Sequence, residues 1–224
     1  MTFSIAARCA RTGMFGIAMA SSSPAVAARC AHVRSGAGAV ATQNITDPAL
    51  GPLTLNALAE GKSAAAALRE SLRSTPFGDY RQLVVIASDG PPAIHTGSKA
   101  LGVVGTAIGA HSAAAGNLLA HSEVPAAMVQ TFESAAGHFG ARLLQALEAG
   151  CARGGEAGPI HSAGLLVARE VSWPIVDLRV DWVETQPVEG LRTVWNVYAP
   201  QIEDYVRRGL DPASAPSFGV AGDL

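Results

Sequence analysis

An apolar alternation that begins at the second residue constrains this chain more than any other feature. Thr2-Phe3-Ser4-Ile5-Ala6-Ala7-Arg8 alternates small or polar residues with apolar ones, which is the period-2 pattern of a half-buried strand. Arg11-Thr12-Gly13 supplies a turn, and Met14 to Ala20 runs apolar again around Gly16. The pattern predicts a β-hairpin at the very start of the chain. Thr2 follows Met1, and its small side chain favours trimming of Met1, which leaves Thr2 with a free α-amine. Such an amine titrates near ~8, against ~10.4 for lysine, so a useful fraction is neutral at pH 7. One residue then holds a nucleophilic hydroxyl and its own general base. A strand holds it rigidly where most termini fray. Threonine also suits a strand for steric reasons alone.

Taken in order, Ser21-Ser22-Ser23-Pro24 breaks the second strand, and Ala25 to His32 reads as a short helical turn or a loop. Gly36 to Gln43 is a small-residue run that predicts a buried strand ending in the polar tip Thr42-Gln43-Asn44. Thr46-Asp47-Pro48 signals a helix start, Gly61 closes that helix, and Ser63 caps a second one that Pro76 and Gly78 end. Strands are expected at Arg81 to Ala87, Ala93 to Thr96 and Leu101 to Ile108, the last continued weakly through Ala110 to Gly116. Helices follow from Ser122 to Ala136 and from His138 to Ala149. After a glycine-rich loop at Cys151 to Pro159, strands return at Ser162 to Arg169 and Ile175 to Asp181. A last helix is expected from Pro187 through Arg208. Strands come in antiparallel groups between helix pairs, so the layering is α+β and not a βαβ alternation. Residues 1–210 read as one domain, with 211–224 a loosely held tail.

Composition narrows the function classes. Hydrophobic residues are 49% and charged ones 15%, enough for a large core. Glycine is 24 of 224, above the usual ~7%, which suits closely packed layers. A net charge of −2 without a basic stripe argues against nucleic acid as a partner. No cationic segment leads into an unbroken apolar core, and no apolar run reaches the ~18–20 residues of a membrane span, so a cytoplasmic protein is expected. Cys9, Cys30 and Cys151 are widely separated, with no CxxC pair. His95, His111, His121 and His161 lack metal-ligand spacing, so no metal is expected. Gly97-Ser98-Lys99 is too short for a phosphate loop and Ser162 lacks a nucleophile elbow, and no cofactor is expected.

Several of these stretches together resemble a bacterial family catalogued as domain of unknown function 1028. They are Thr2 to Arg8, Gly36 to Gln43, Arg81-Gln82-Leu83, Thr96-Gly97, Gly116-Asn117-Leu118-Leu119-Ala120, and Asp177-Leu178-Arg179-Val180-Asp181. The likeness spans about residues 2–205. It departs from the family pattern at Trp182, where an acidic residue and histidine often follow, and in Leu101 to Gly109, which lacks a tryptophan. The resemblance implies the N-terminal nucleophile (Ntn) hydrolase grouping and its four-layer αββα sandwich, two antiparallel sheets between helical layers. It implies a small-molecule amidohydrolase that cleaves an amide or ureido C–N bond with Thr2 as nucleophile. The alternative is a catalytically inactive Ntn-fold protein that binds a metabolite or serves in an assembly.

Such a nucleophile needs donors for the tetrahedral oxyanion. Asn117 is the candidate, a neutral carboxamide beside Gly116, which lets backbone approach closely; capping of a loop is the other reading of Asn117. Ser21, Ser22, Thr42 and Gln43 sit at ends of neighbouring strands, where they can line a substrate floor or simply bond to backbone. Asp177, Arg179 and Asp181 alternate along one strand and share a face. They form either a charge-paired ladder or, through Arg179, a clamp for a substrate carboxylate. The small-residue helix Ser63 to Leu68 and the aromatics Trp195 and Tyr198, expected to be exposed, suggest a homodimer or larger assembly.

Overall fold

The computed structural model describes residues 2–220 of the chain. Its strands are β1 (Thr2–Arg8), β2 (Phe15–Ser21), β3 (Ala31–Arg34), β4 (Gly38–Asn44), β5 (Arg81–Ala87), β6 (Ala93–Thr96), β7 (Gly105–Ile108), β8 (Ser112–Asn117), β9 (Ser162–Ala168) and β10 (Pro174–Val180). The helices are α1 (Val26–Cys30), α2 (Leu50–Ala59), α3 (Ala64–Arg73), α4 (Val124–Ser134), α5 (Phe139–Ala152), α6 (Pro187–Tyr198) and α7 (Ile202–Leu210). The strands form a six-stranded sheet in the order β10-β9-β2-β1-β8-β7 and a four-stranded sheet in the order β3-β4-β5-β6. Every pairing is antiparallel.

Alternation along β1 feeds two different cores. Phe3, Ile5 and Ala7 join Met128 and Phe132 of α4 and Leu143 and Leu147 of α5 on one face of the six-stranded sheet. Ala6 points the other way and meets Ile17, Met19, Ala39, Ala41, Val84, Ile86, Ala113 and Ala115 between the two sheets. Alanine at so many of these facing positions leaves room for the sheets to close on each other, since interiors pack to crystal-like density. On the far side of the four-stranded sheet, Val40, Leu83 and Val85 pack against Leu50, Leu55 and Leu58 of α2 and Ala67 and Leu68 of α3. Each such fully buried Leu or Phe contributes roughly 1.5–3 kcal/mol, so burial on both faces of both sheets dominates the fold's stability.

The hairpin, the buried strand after Gly36, and the Ser63 cap, whose side chain accepts from the Ala66 N–H, stand as read from sequence. Other elements differ for identifiable reasons. The weak continuation through Ala110 to Gly116 is β8, buried throughout and paired with both β1 and β7. Strand structure in the preceding segment is confined to Gly105–Ile108. Ala25 to His32 divides into α1 and the start of β3. The loop expected from Cys151 begins two residues later, because α5 runs to Ala152. The single last helix is two, α6 and α7, joined through a turn at Ala199–Gln201. Pro200 inside that turn lacks the N–H that an unbroken helix needs.

Trp195 is 5 % exposed, not on the surface, and packs in the core beside Gly140 of α5. Tyr198 is half-buried and donates its hydroxyl to the Ile175 carbonyl at 3.0 Å. The apolar face of α3 is likewise covered by the protein's own four-stranded sheet. The two aromatics are therefore not the exposed pair that the sequence suggests for self-association. At the end of the chain, the Arg208 guanidinium lies 3.8 Å from the Phe218 ring centroid and donates to the Pro216 carbonyl. The last part of the expected tail, residues 221–224, lies outside the described residues, as does Met1.

Candidate functional site

Antiparallel pairing brings three of the singled-out residues to one end of the six-stranded sheet. Thr2 begins β1 opposite Asn117 at the end of β8, and Ser21 ends β2 on its other side. Thr2 is 4 % exposed and donates its hydroxyl to Ser21 Oγ at 3.4 Å. Ser21 Oγ in turn shares a 2.8 Å hydrogen bond with Ser23 Oγ and accepts from the Ser23 N–H at 3.1 Å. These side chains share the face of the sheet that carries Ser4 and Ala6, so they point into the mouth of the inter-sheet space.

Below them lies a buried chain of amides. Ser4 donates to Gln43 Oε1 at 2.6 Å, and Gln43 Nε2 donates to Gln82 Oε1 at 2.8 Å and to the Ala115 carbonyl at 3.0 Å. Gln82 Nε2 continues to Thr96 Oγ1 and the Gly116 carbonyl, both at 3.1 Å. Asn117 Nδ2 donates to Gln82 Oε1 at 3.0 Å. The network ties the two sheets together directly beneath Thr2. Asn117 is thus a fully buried strand residue and neither a loop cap nor a surface amide. Its Oδ1 is buried with no hydrogen-bond partner among the described residues. One N–H of Nδ2 is committed to Gln82, which leaves the second N–H and Oδ1 for a ligand.

Glu156, which sequence reading passes over, is the carboxylate beside this cluster. It follows Gly154 and Gly155, forms an isolated bridge with Leu119, and is 4 % exposed. Ser22 donates its N–H to both carboxylate oxygens, at 3.1 and 3.2 Å. Burial pushes the carboxyl up to about 7, against the opposing pull of the Ser22 hydrogen bonds and the charge of His161. The only sequence signal was a lone acid in a glycine-rich loop.

A cavity of about 350 Å³ opens over Thr2, lined also by Ser23, Arg29, Cys30, Asn44 and Thr46. Arg29 donates through Nη1 to the carbonyls of Pro24 (2.5 Å) and Ala25 (3.1 Å), and through Nη2 to Ser23 Oγ (3.2 Å). Asn44 adopts a left-handed φ of 73° and spans the rim, donating to the Tyr80 carbonyl at 2.6 Å and accepting from the Leu101 N–H at 3.1 Å. Burial raises the Cys30 thiol above its usual range, so it stays protonated.

The remaining candidates fall elsewhere. Thr42 shares a face with Val40 and Leu83, toward α2 and α3, so it faces away from Thr2. Gly116 contributes only its carbonyl to the amide chain, and a Cβ there would meet Leu119. Arg179 lies on β10, three strands from β1. Its Nε sits 3.7 Å from Asp177 and 4.0 Å from Asp181, the charge-paired ladder rather than a clamp beside Thr2. A second cavity, of about 290 Å³, lies at the opposite end of β1 among Arg8, Cys9, Arg11, His111, His138 and Arg142. Six residues of strand at ~3.4 Å each put it about 20 Å from Thr2. Among the described residues no group of three or more His, Cys, Asp or Glu is placed to hold a metal ion, and no helix is long and apolar enough to cross a membrane.

Comparison with known proteins gives a family but no activity. The chain matches the Family of unknown function (DUF1028) over residues 2–191. The crystal structure of protein SPO2555 from Silicibacter pomeroyi, which carries the same family designation, superposes with a TM-score of 0.84 at 29% identity. That match covers 92% of this chain and 94% of the other. Anbu (ancestral beta-subunit) from Yersinia bercovieri matches with a TM-score of 0.37 at 13% identity, over 91% of this chain and 97% of its own, a likeness too loose to carry an argument. No curated protein matches the chain.

Proposed function

The chain belongs to DUF1028, a family of unknown function, and from that premise we propose that it is an amidohydrolase of the N-terminal nucleophile type. On this reading residues 1–210 form one four-layer αββα sandwich, and removal of Met1 frees the α-amine of Thr2. The observation that carries the proposal is the placement of Thr2: a buried hydroxyl residue at position 2, beginning a central strand and lining a cavity of about 350 Å³.

The chemistry follows from one residue and its neighbours. The neutral α-amine takes the proton from Thr2 Oγ1 as that oxygen attacks the carbonyl carbon of an amide or ureido group. The uncommitted N–H of Asn117 Nδ2 donates to the oxyanion, in a site shielded from water where such a bond is worth most. Collapse of the tetrahedral species breaks the C–N bond, and the leaving amine receives the proton held by the α-ammonium. Water, deprotonated by the same amine, then hydrolyses the Thr2 ester and restores the hydroxyl. Gln43 and Gln82 hold Asn117 in place; Glu156, through Ser22, positions the strand end that faces Thr2.

The test is turnover of an amide and ureide library by Met1-free protein, read as released ammonia or amine. Thr2→Ala should abolish turnover, Thr2→Ser should retain part of it, and the rate should rise through a pKa near or below ~8. Turnover that survives Thr2→Ala sinks the proposal.

A further inference from the structure

The cavity over Thr2 carries a charge preference that the catalytic reading does not require. Among the described residues that line it, Arg29 alone has a charged side chain. Its guanidinium is anchored: both hydrogens of Nη1 are directed at the carbonyls of Pro24 and Ala25, and one of Nη2 at Ser23 Oγ. The Nε–H and the second hydrogen of Nη2 stay uncommitted, and no carboxylate pairs with Arg29 among the described residues. The acid of this region, Glu156, is already engaged by the Ser22 N–H. An arginine fixed by neutral acceptors, half-buried, with donors left on its planar fork, is built to receive a carboxylate in bidentate fashion. Asn44 and Thr46 add neutral polar groups to the same wall.

We propose that this site takes amides bearing a carboxylate, which Arg29 binds while the scissile carbonyl lies over Thr2. The substrate class is thus an N-acyl or N-carbamoyl amino acid or a similarly small acidic amide, a size consistent with about 350 Å³. This inference rests on Thr2 being the reacting residue, but its test does not need turnover.

The experiment compares N-acetyl-L-glutamine with N-acetyl-L-glutaminamide, probes that differ only in the carboxylate. Binding is measured by calorimetry in the Thr2→Ala protein, up to ten or so millimolar, a range where fragment-sized ligands with few contacts are expected to register. The acid should bind at least tenfold more tightly than the amide, and Arg29→Gln should erase that difference. Arg29→Lys keeps the charge without the fork and should retain only part of it, which decides the question if Arg29→Gln fails to fold. Equal binding of the two probes, no binding of either, or a preference that persists in both Arg29 variants overturns the inference. A preference that vanishes with Arg29 in a protein whose Thr2 drives no turnover would uphold the acid pocket and refute the nucleophile, so the two failures are distinct.

Discussion

Burial of Glu156 builds a pH-dependent weakness into the site, and Glu156→Gln isolates it. The carboxyl is 4 % exposed and raised from 4.5 to about 7, desolvation outweighing the Ser22 hydrogen bonds. Because the folded chain holds this proton more tightly than the unfolded chain does, the group's stabilising contribution is fully present below the unfolded value and is lost as pH rises through about 7. Each pH unit across that interval is worth ~1.4 kcal/mol, so the loss comes to about 3 kcal/mol. Glutamine keeps the size and an oxygen for the Ser22 N–H but does not ionise. The two proteins should therefore be similarly stable near pH 5, and Glu156→Gln more stable by about 3 kcal/mol at pH 8, or roughly 6–12 °C in Tm for a chain of this size. Urea unfolding followed by circular dichroism between pH 5 and 8 measures it, and taking the difference between the two proteins cancels the titrating groups that do not interact with Glu156. A stability difference that stays flat across the range would refute the reasoning, because Glu156 would then ionise alike in folded and unfolded chains.

Two other substitutions probe the site and the core. Asn117→Ala should lower kcat by roughly 10²–10³ with little change in KM. It should also destabilise the fold by about 1–3 kcal/mol, since Gln82 Oε1 loses one of its two donors inside the buried network; unchanged turnover by a folded variant would count against the oxyanion role. Trp195→Ala should cost about 3–5 kcal/mol by opening a cavity over Gly140. Val197→Ala on the same helix, at a position 65 % exposed, should stay within ~0.5 kcal/mol, and equal effects in chemical denaturation would contradict the placement of α6.

What the sequence disclosed follows the strength of each physical signal. The β1–β2 hairpin was legible because its alternation separates large apolar residues from small ones, and the same alternation puts Thr2 at the start of β1. β8 was underestimated because Ala113, Ala114 and Ala115 carry no amphipathic contrast, yet burial on both faces is what makes three alanines in a row suitable for a central strand. Trp195 is buried, not exposed, because Val188, Leu191 and Trp195 recur at helical spacing and form the inward face of α6. Thr42 was read by its nearness to a strand tip, whereas strand alternation puts it on the face opposite Gln43. Arg29 and Glu156 had no motif to mark them. Only tertiary structure brings them to this end of the sheet, where Arg29 lines the cavity over Thr2 and Glu156 accepts from the Ser22 N–H just past β2.

The central claim, that Thr2 is the nucleophile, does not require knowledge of the natural substrate to be tested. A β-lactone offered to the Met1-free protein supplies an activated acyl group: Thr2 Oγ1 opens the ring, the ring oxygen leaves as an alkoxide that takes up the proton, and the whole probe stays attached as an ester. Intact-mass and peptide mass spectrometry then report where it resides. The account predicts one probe mass per chain, mapped to Thr2, absent from Thr2→Ala and from protein that retains Met1. Labelling of the Met1-bearing protein at the same rate, or an adduct that maps to another residue, would contradict it.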